Sequence, residues 1–535
     1  MSKVQIILLI TALLIIVWIY LFFSLFSNDH PATASANTLQ QFVKKDSETI
    51  DLPFEDQDQP KPDGVFGVEE EERSSLPAAH KSVIDISEYM HSKLSIDRKF
   101  NNDDHHFLSD PPPLSEIERN MTIYLTTLHR ELVSLAGPTV TAVSVWETFL
   151  NITKTMPMTW DEENKHRFPK PRKDGSIYVS IGTYRDPFCP MTIKSLFDKA
   201  RAPDRVFVGL FQQNCFGPKC RTGVLAGGRV EEAGPDPDCF KEFCQSEEGR
   251  RTQACVRGQV RLYNVNESES LGPYMARYLG AKFYRGEQYY LQIDSHSEFV
   301  DHWDDKLIKM VEDAPAEKPV ISTYPPDSTQ NWRNTIGFRM CDSEFAAAQI
   351  EWQIIRLGSS MTFDHAIPAK PLYAPFVAAG FFFTYADFLY EVPFDPFLPW
   401  IFMGEEISMS ARLWTAGYDI FSPTINVLNH YYVRRHYPKF WESVNRFFKK
   451  PIHNDILELI INRVKCMLGY PESAAELVSP PSILYRLPDW GMGKKRSLKR
   501  YMKMVGLDMF SKKVTQNQWC HKGQWPDVAS EFQIQ

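Results

Sequence analysis

The 535-residue chain predicts an α/β fold, a mostly parallel sheet flanked by helices, and two observations predict it. Beyond about residue 176, short apolar runs alternate with helical patterns at the spacing of strand–helix units. The composition, 43% hydrophobic and 13% aromatic, can bury a large core, which excludes global disorder and collagen-like fibres. Formal net charge is −8, but residues 46–73 carry eleven acids and two bases, a local balance of −9. The rest is nearly neutral, so nucleic-acid binding through a concentrated positive field is excluded as well.

The predicted strands are IYVSIG (177–182), VFVGLF (206–211), VRLYNV (260–265), YYLQID (289–294) and VISTY (320–324). Helical patterns lie between them in MTIKSLFDKARA, LGPYMARYLGAKFY and HWDDKLIKMVEDA. In such sheets ligands sit beyond the carboxyl ends of the strands, so function is sought just after each run. Upstream, Ile117, Met121, Tyr124, Leu125, Leu128 and Leu132 fall on one helical face that Gly137-Pro138 ends. That helix packs on the following domain or pairs two copies as a homodimer; the pattern fits both.

The amino terminus sets the compartment. Residues 6–26 form an uncharged 21-residue apolar segment, long enough at 1.5 Å per residue to cross a hydrocarbon core of about 30 Å. Lys3 before it and Asp29 after it favour a single-pass, N-in orientation. A cleaved signal peptide is the competing reading, given the small residues ATASA at 32–36, although the apolar region is long for one. Either delivers the chain to the secretory lumen. Three N-x-Ser/Thr acceptor sites, Asn120, Asn151 and Asn266, all lie downstream. Five of nine cysteines crowd between Cys215 and Cys255, which reads as an insertion held by disulfides of unassigned pairing, with zinc as the alternative.

The expected organisation is a cytoplasmic stub (1–5), a transmembrane signal-anchor (6–26), a disordered acidic stem (27–115), a helical stem or neck (116–175), a catalytic domain (176–440) and a carboxyl-terminal extension (441–535). Basic residues Lys494–Arg496, Lys499, Arg500, Lys512 and Lys513 read as a solvated helix face.

The most informative strand end is YYLQIDSHSE at 289–298. In extended chain residues i and i+2 point to one side, so Asp294 and His296 can face a single ion, and a carboxylate with an imidazole suits Mn²⁺ or a similar divalent cation. A polar turn capping the next helix explains the same residues more plainly. Later, Gly404 precedes Glu405 and Glu406 at the start of a helix, where acids are favoured by the helix dipole.

Three stretches in order decide between these readings: SIGTYRDPFCPMTIKSLF (180–197), YYLQIDSHSEFVDHWD (289–304) and FMGEEISMSARLWTAGYDIFSP (402–423), followed by NHYYVR (429–434). With them the sequence resembles the metal-dependent, nucleotide-sugar glycosyltransferases of the GT-A fold. More narrowly it resembles the polypeptide α-N-acetylglucosaminyltransferases, the family that includes the enzyme modifying hydroxyproline on the ubiquitin-ligase adaptor Skp. DSHSE and the GEE helix also resemble the polypeptide N-acetylgalactosaminyltransferases, in which the corresponding Asp and His bind manganese with a second, downstream His.

The resemblance implies a GT-A catalytic domain with Asp294, His296 and His430 as metal ligands. It places Thr183, Tyr184, Arg185 and Asp186 at the nucleotide, Arg185 forking onto phosphate and Asp186 accepting from uracil or ribose, while a salt bridge closing the turn is the alternative for that pair. Arg277 is implied to face the donor, and Glu405, in preference to Glu406, to hold sugar hydroxyls or the acceptor at the mouth of the site. The aromatic runs at 380–385 and 397–402 wall an acceptor groove or fill the core. The implied activity is transfer of N-acetylglucosamine from UDP-GlcNAc to Ser, Thr or hydroxyproline of a polypeptide or glycoprotein, with Mn²⁺ and retention of configuration, in the Golgi lumen. Another UDP-sugar, a glycan acceptor or an inactive glycan-binding module remain the alternatives.

Overall fold

The five predicted apolar runs become strands of an eight-stranded sheet, and those at its centre are buried on both faces, as a helix-covered sheet requires. The strands are β1 (Ile177–Tyr184), β2 (Val206–Asn214), β3 (Val260–Asn266), β4 (Tyr289–Asp294), β5 (Pro319–Ser322), β6 (Leu372–Tyr373), β7 (Phe381–Tyr385) and β8 (Asp419–Ser422). Their order is β6-β8-β5-β7-β4-β1-β2-β3. Pairs β1–β2, β1–β4, β2–β3 and β5–β8 are parallel, whereas β7 is antiparallel to both β4 and β5, and β6 to β8. This computed structural model describes residues 112–137, 139–155, 169–223, 230–345, 354–361, 366–432, 437–440, 450–515 and 518–520. All lie in the larger of two compact units, Asp56–Gln535. The expected anchor at 6–26 and the acidic run fall outside them; among the described residues no helix is long and apolar enough to cross a membrane.

Alternation along the strands divides the core into two layers. Tyr178 and Tyr290 point to one face, Ile177, Val179, Ile181, Leu291 and Ile293 to the other. The second face is covered by α3 (Cys189–Lys199) and the helix Trp303–Asp313. The first is covered by α1 (Leu114–Leu135), α2 (Ala142–Thr153), α4 (Pro273–Gly280), α6 (Glu405–Thr415), α7 (Lys450–Leu468) and α8 (Leu498–Val505), with Trp303–Asp313 counted as α5. The buried residues of α1 are Ile117, Met121, Tyr124, Leu125, Leu128 and Leu132, the face read from the sequence. That face packs within the chain: Thr122 hydrogen-bonds Tyr263 on β3, and Tyr124 hydrogen-bonds Thr153 on α2.

The carboxyl-terminal helices share this core. Arg463 of α7 forks onto Asp395 at 2.8 and 3.2 Å, both side chains wholly buried. Arg496, expected on a solvated face, is buried instead and pairs with Asp419 at 2.7 Å. Charge ran together in the sequence, but Arg496 is the member of the run that meets a strand end.

Four disulfides join Cys189–Cys239, Cys215–Cys220, Cys244–Cys255 and Cys341–Cys520, leaving Cys466 free and buried. The clustered cysteines are thus held by disulfides rather than by zinc. The insertion is also tied outward, because Cys239 reaches the amino-terminal turn of α3.

Candidate functional site

Parallel pairing of β1 with β4, in register Gly182↔Asp294, brings their carboxyl ends side by side. The turn after β4 is pinned by α3: Thr192 Oγ1 donates to the Ser295 carbonyl and accepts from Ser297 N–H, and Ser195 Oγ accepts from Phe299 N–H. Beyond β8 the chain returns to this turn. Asn429 holds Glu298 through both backbone and side chain, and Tyr431 N–H donates to the His296 carbonyl. His430 is thereby delivered beside Asp294 across 136 residues of sequence.

One ligand atom each from Asp294, His296 and His430 lie within 4.8 Å of one another. His430 Nε2 is 3.1 Å from Asp294 Oδ2, and the two imidazole centroids are 4.4 Å apart. Two ligands on one ion at about 2.0–2.2 Å, placed at right angles, sit about 3.0 Å apart, so this edge fits a divalent cation. Gly380 faces the same oxygen: a Cβ there would stand 2.9 Å from Asp294 Oδ2, so a side chain would crowd the place an ion would take. One carboxylate and two imidazoles suit Mn²⁺ or a similar ion better than Ca²⁺.

The strand-end residues divide differently from the sequence reading. The Asp186 carboxylate is fully buried and accepts from Ser295 Oγ at 2.6 Å, Phe188 N–H at 3.0 Å and His296 Nδ1 at 2.7 Å. Holding Nδ1–H in this way puts the ring's ligating lone pair on Nε2 of His296. Asp186, expected at the nucleotide, faces the imidazole in this structure. Arg185, in the left-handed region at φ 48° and almost fully buried, forks onto Asp236 at 2.7 and 3.0 Å. This is the salt bridge weighed as its alternative, with the partner supplied by the cysteine-rich insertion. Burial acts first to lower the Arg185 pKa, but the Asp236 contact outweighs it and raises the value. Thr183 is buried, and Tyr184 is half-buried at the strand end.

Arg277, on α4, joins the two acidic features. It donates to Asp294 Oδ1 at 2.9 Å and pairs with Glu405 through its other terminal nitrogen. Glu405 opens α6 behind Gly404, whose φ of +95° favours glycine and whose Cβ would meet Ile354 at 2.9 Å. Burial works to raise the Asp294 pKa, yet the hydrogen bond from His430 and the charge of Arg277 hold it far below the usual carboxylate range. Glu405 goes the other way: burial raises it and Arg277 only partly offsets that. Glu406 is pushed up to about 7, chiefly by burial.

The aromatic runs split. Phe381–Phe383, Phe397 and Trp400 fill the core, and Phe402 is half exposed. Beside Asp294, His296 and His430, Phe188 stacks on Tyr431 with centroids 5.1 Å apart. Sequence reading missed Asp186 as the partner of His296, Asp236 as the partner of Arg185, and Tyr324, whose hydroxyl donates to Glu406. Only the first left a signal, since parallel strands predicted at 177–182 and 289–294 bring both following turns to one edge.

The family model described as glycosyltransferase (GlcNAc) matches residues 176–511. No curated protein matches the chain. Among solved structures, GalNAc-T7 with UDP, GalNAc and Mn²⁺ aligns at 15% identity and a TM-score of 0.37, over 62% of this chain and 57% of that one. This chain thus spans just over half the length of GalNAc-T7. S. aureus TarS 1–349 aligns at 9% identity and a TM-score of 0.29, over 65% of this chain and 98% of that one. The family match takes in more than half of the 535 residues, including every strand of the sheet and all the site residues above, and the chain belongs to the glycosyltransferase (GlcNAc) family.

Proposed function

We propose that the protein is a GT-A-type, type II membrane glycosyltransferase that transfers N-acetylglucosamine from UDP-GlcNAc to a Ser, Thr or hydroxyproline hydroxyl of a polypeptide. The observation that carries this is the meeting of Asp294, His296 and His430 at the carboxyl end of a central strand, in a chain of this family. Transfer breaks a sugar–phosphate bond and leaves growing negative charge on the diphosphate. A divalent ion held by Asp294, His296 and His430 would supply charge stabilisation there.

The chain's own residues prepare that place. Asp186 fixes the tautomer and ring orientation of His296. Arg277 holds Asp294 by one oxygen, leaving the other toward His430. It also fixes Glu405, setting a positive group between two carboxylates where an anionic donor binds. Resemblance to retaining enzymes makes the leaving phosphate itself the acceptor of the hydroxyl proton, so no side chain is assigned as general base. Thr183 and Tyr184 end the strand beside the donor, with Arg185 bracing that end through Asp236.

Membrane anchoring by residues 6–26 and a Golgi luminal location belong to the same proposal. They are supported by the uncharged segment and by four disulfides, which persist in an oxidising compartment. The test is incubation of the purified protein with Mn²⁺, a panel of UDP-sugars and a Thr-rich peptide. Transfer from UDP-GlcNAc that chelation abolishes is expected. Transfer from UDP-glucose or UDP-galactose alone would refute the donor assignment, and absence of turnover with every UDP-sugar would refute the enzyme.

A further inference from the structure

The fold places the three Asn-x-Ser/Thr strings in different surroundings. Asn120 lies within α1, half-buried at the border of its packed face, and the Thr122 hydroxyl of its string is hydrogen-bonded to Tyr263. Asn151 is exposed in the last turn of α2, and the Thr153 of its string is buried against Tyr124. Asn266 is exposed too, but it is the last residue of β3 and lies outside any α-helix.

Among the described residues β3 is the outer strand of the sheet, paired with β2 alone. Leu262, Asn264 and Asn266 point to one side of it, and the cover thins along that side from half-buried Leu262 to exposed Asn264 and Asn266. An outer strand presents unpaired backbone N–H and C=O groups to any other chain. The Asn266 side chain is held in a tight local turn, its Oδ1 accepting from Ser268 N–H at 3.0 Å and from Ser268 Oγ at 2.7 Å. Neither contact uses Nδ2, the atom to which an N-linked sugar is attached. The turn, and the cap it gives the short 3-10 helix Glu267–Glu269, therefore survive modification.

We propose that Asn266 carries an N-linked oligosaccharide and that this glycan covers the open edge of the sheet. The proposal rests on the luminal location in the functional reading above and adds a modified residue outside the transfer chemistry. In the modification, Asn266 Nδ2 bonds to C1 of the first sugar of a lipid-pyrophosphate-linked oligosaccharide. The C1–O bond breaks, the lipid pyrophosphate leaves with the bonding pair, and the amide proton passes to a base of the transferring enzyme. The string supplies the required hydroxyl at Ser268, and the residue between, Glu267, is not proline. A glycan attached to the extended chain has to stay outside once the chain folds. Exposed Asn266 permits that, whereas Asn120 borders a face packed on the domain. Three strand spacings, about 14 Å, separate β3 from β4, so a glycan on Asn266 leaves Asp294 clear.

The test is expression of the full chain in a eukaryotic secretory host as wild type, Asn266→Asp and Ser268→Thr. Asn266→Asp removes the acceptor amide yet keeps an oxygen for Ser268, and Ser268→Thr keeps the acceptor string. Peptide:N-glycosidase, which leaves aspartate where a glycosylated asparagine stood, should shift wild type and Ser268→Thr on a denaturing gel by one step more than Asn266→Asp. Peptide mapping of the treated wild type should then find aspartate at 266. Protease added to intact membrane vesicles reads the location separately, and the chain should survive it. Asparagine left at 266 in a chain that survives would overturn the proposal and leave the luminal reading intact; asparagine at 266 in a chain that is digested would bring down both. Asn266→Asp should also aggregate faster than glycosylated wild type at equal concentration, and an unchanged rate would overturn the covering role.

Discussion

Replacing Asp186 by Asn tests whether this residue serves His296 or the nucleotide. Asp186 uses one oxygen for Phe188 N–H at 3.0 Å and the other for Ser295 Oγ and His296 Nδ1 at 2.6 and 2.7 Å. An asparagine retains a single oxygen. Turned toward Phe188, it presents its NH₂ to Nδ1, which must then accept, and the imidazole proton moves to Nε2 where the ligand lone pair was. Turned the other way, two N–H donors face each other in a buried place, a loss of about 1–3 kcal/mol. Outer partners of this kind are worth about 10- to 100-fold in metal affinity, or about 1.4–2.7 kcal/mol. Titration of Mn²⁺ into Asp186→Asn should therefore show a dissociation constant raised by that factor, with the melting profile still cooperative. Unchanged Mn²⁺ affinity would refute the reasoning, and weakened UDP binding at unchanged Mn²⁺ affinity would return Asp186 to the nucleotide-facing role its position first suggested.

Asp294→Asn should lose metal-dependent transfer by roughly 100-fold or more while remaining folded, measured as product formed at saturating Mn²⁺. Asp395→Ala strands the buried Arg463 guanidinium and should destabilise the protein by about 3–5 kcal/mol in urea titration. Glu406 binds its proton more tightly in the folded chain than in the unfolded one, so its contribution is present below the usual carboxylate range and is lost as pH rises through about 7. Thermal stability should therefore fall between about pH 5 and 8. The groups around Glu406 are Tyr324, Glu405, Arg277 and Tyr432; Glu405, also raised, adds to the slope, and Glu406→Gln should flatten it.

Much of the scaffold was legible because burial writes itself into local periodicity. The face of α1 and the bounds of β4 follow from the spacing of apolar residues, and these needed no distant information. The candidate site was legible in parts. Asp294 and His296 share one side of an extended segment, a local relation, whereas His430 is named only by resemblance because its position depends on the path of the chain after β8. Apart from Asp186 and His296, whose turns follow two predicted parallel strands, pairings between separate segments were not legible. Arg185 meets Asp236 through an insertion whose route is set by the Cys189–Cys239 and Cys215–Cys220 disulfides, and charge spacing along the chain carries no record of that. Glu405 and Glu406 look interchangeable as neighbours on a first turn, yet successive helix residues point about 100° apart, and one meets Arg277 while the other meets Tyr324.

The Cys341–Cys520 bridge closes a loop with a sequence separation of 179 that contains Gly380, Glu405, Glu406 and His430. A protease cut anywhere inside that loop leaves both pieces covalently attached, so a nicked molecule migrates as intact chain until it is reduced. The same bond makes Cys520 the practical limit for shortening the carboxyl terminus, since a chain ended before it would release the half of the site carried by the loop from its outer fastening.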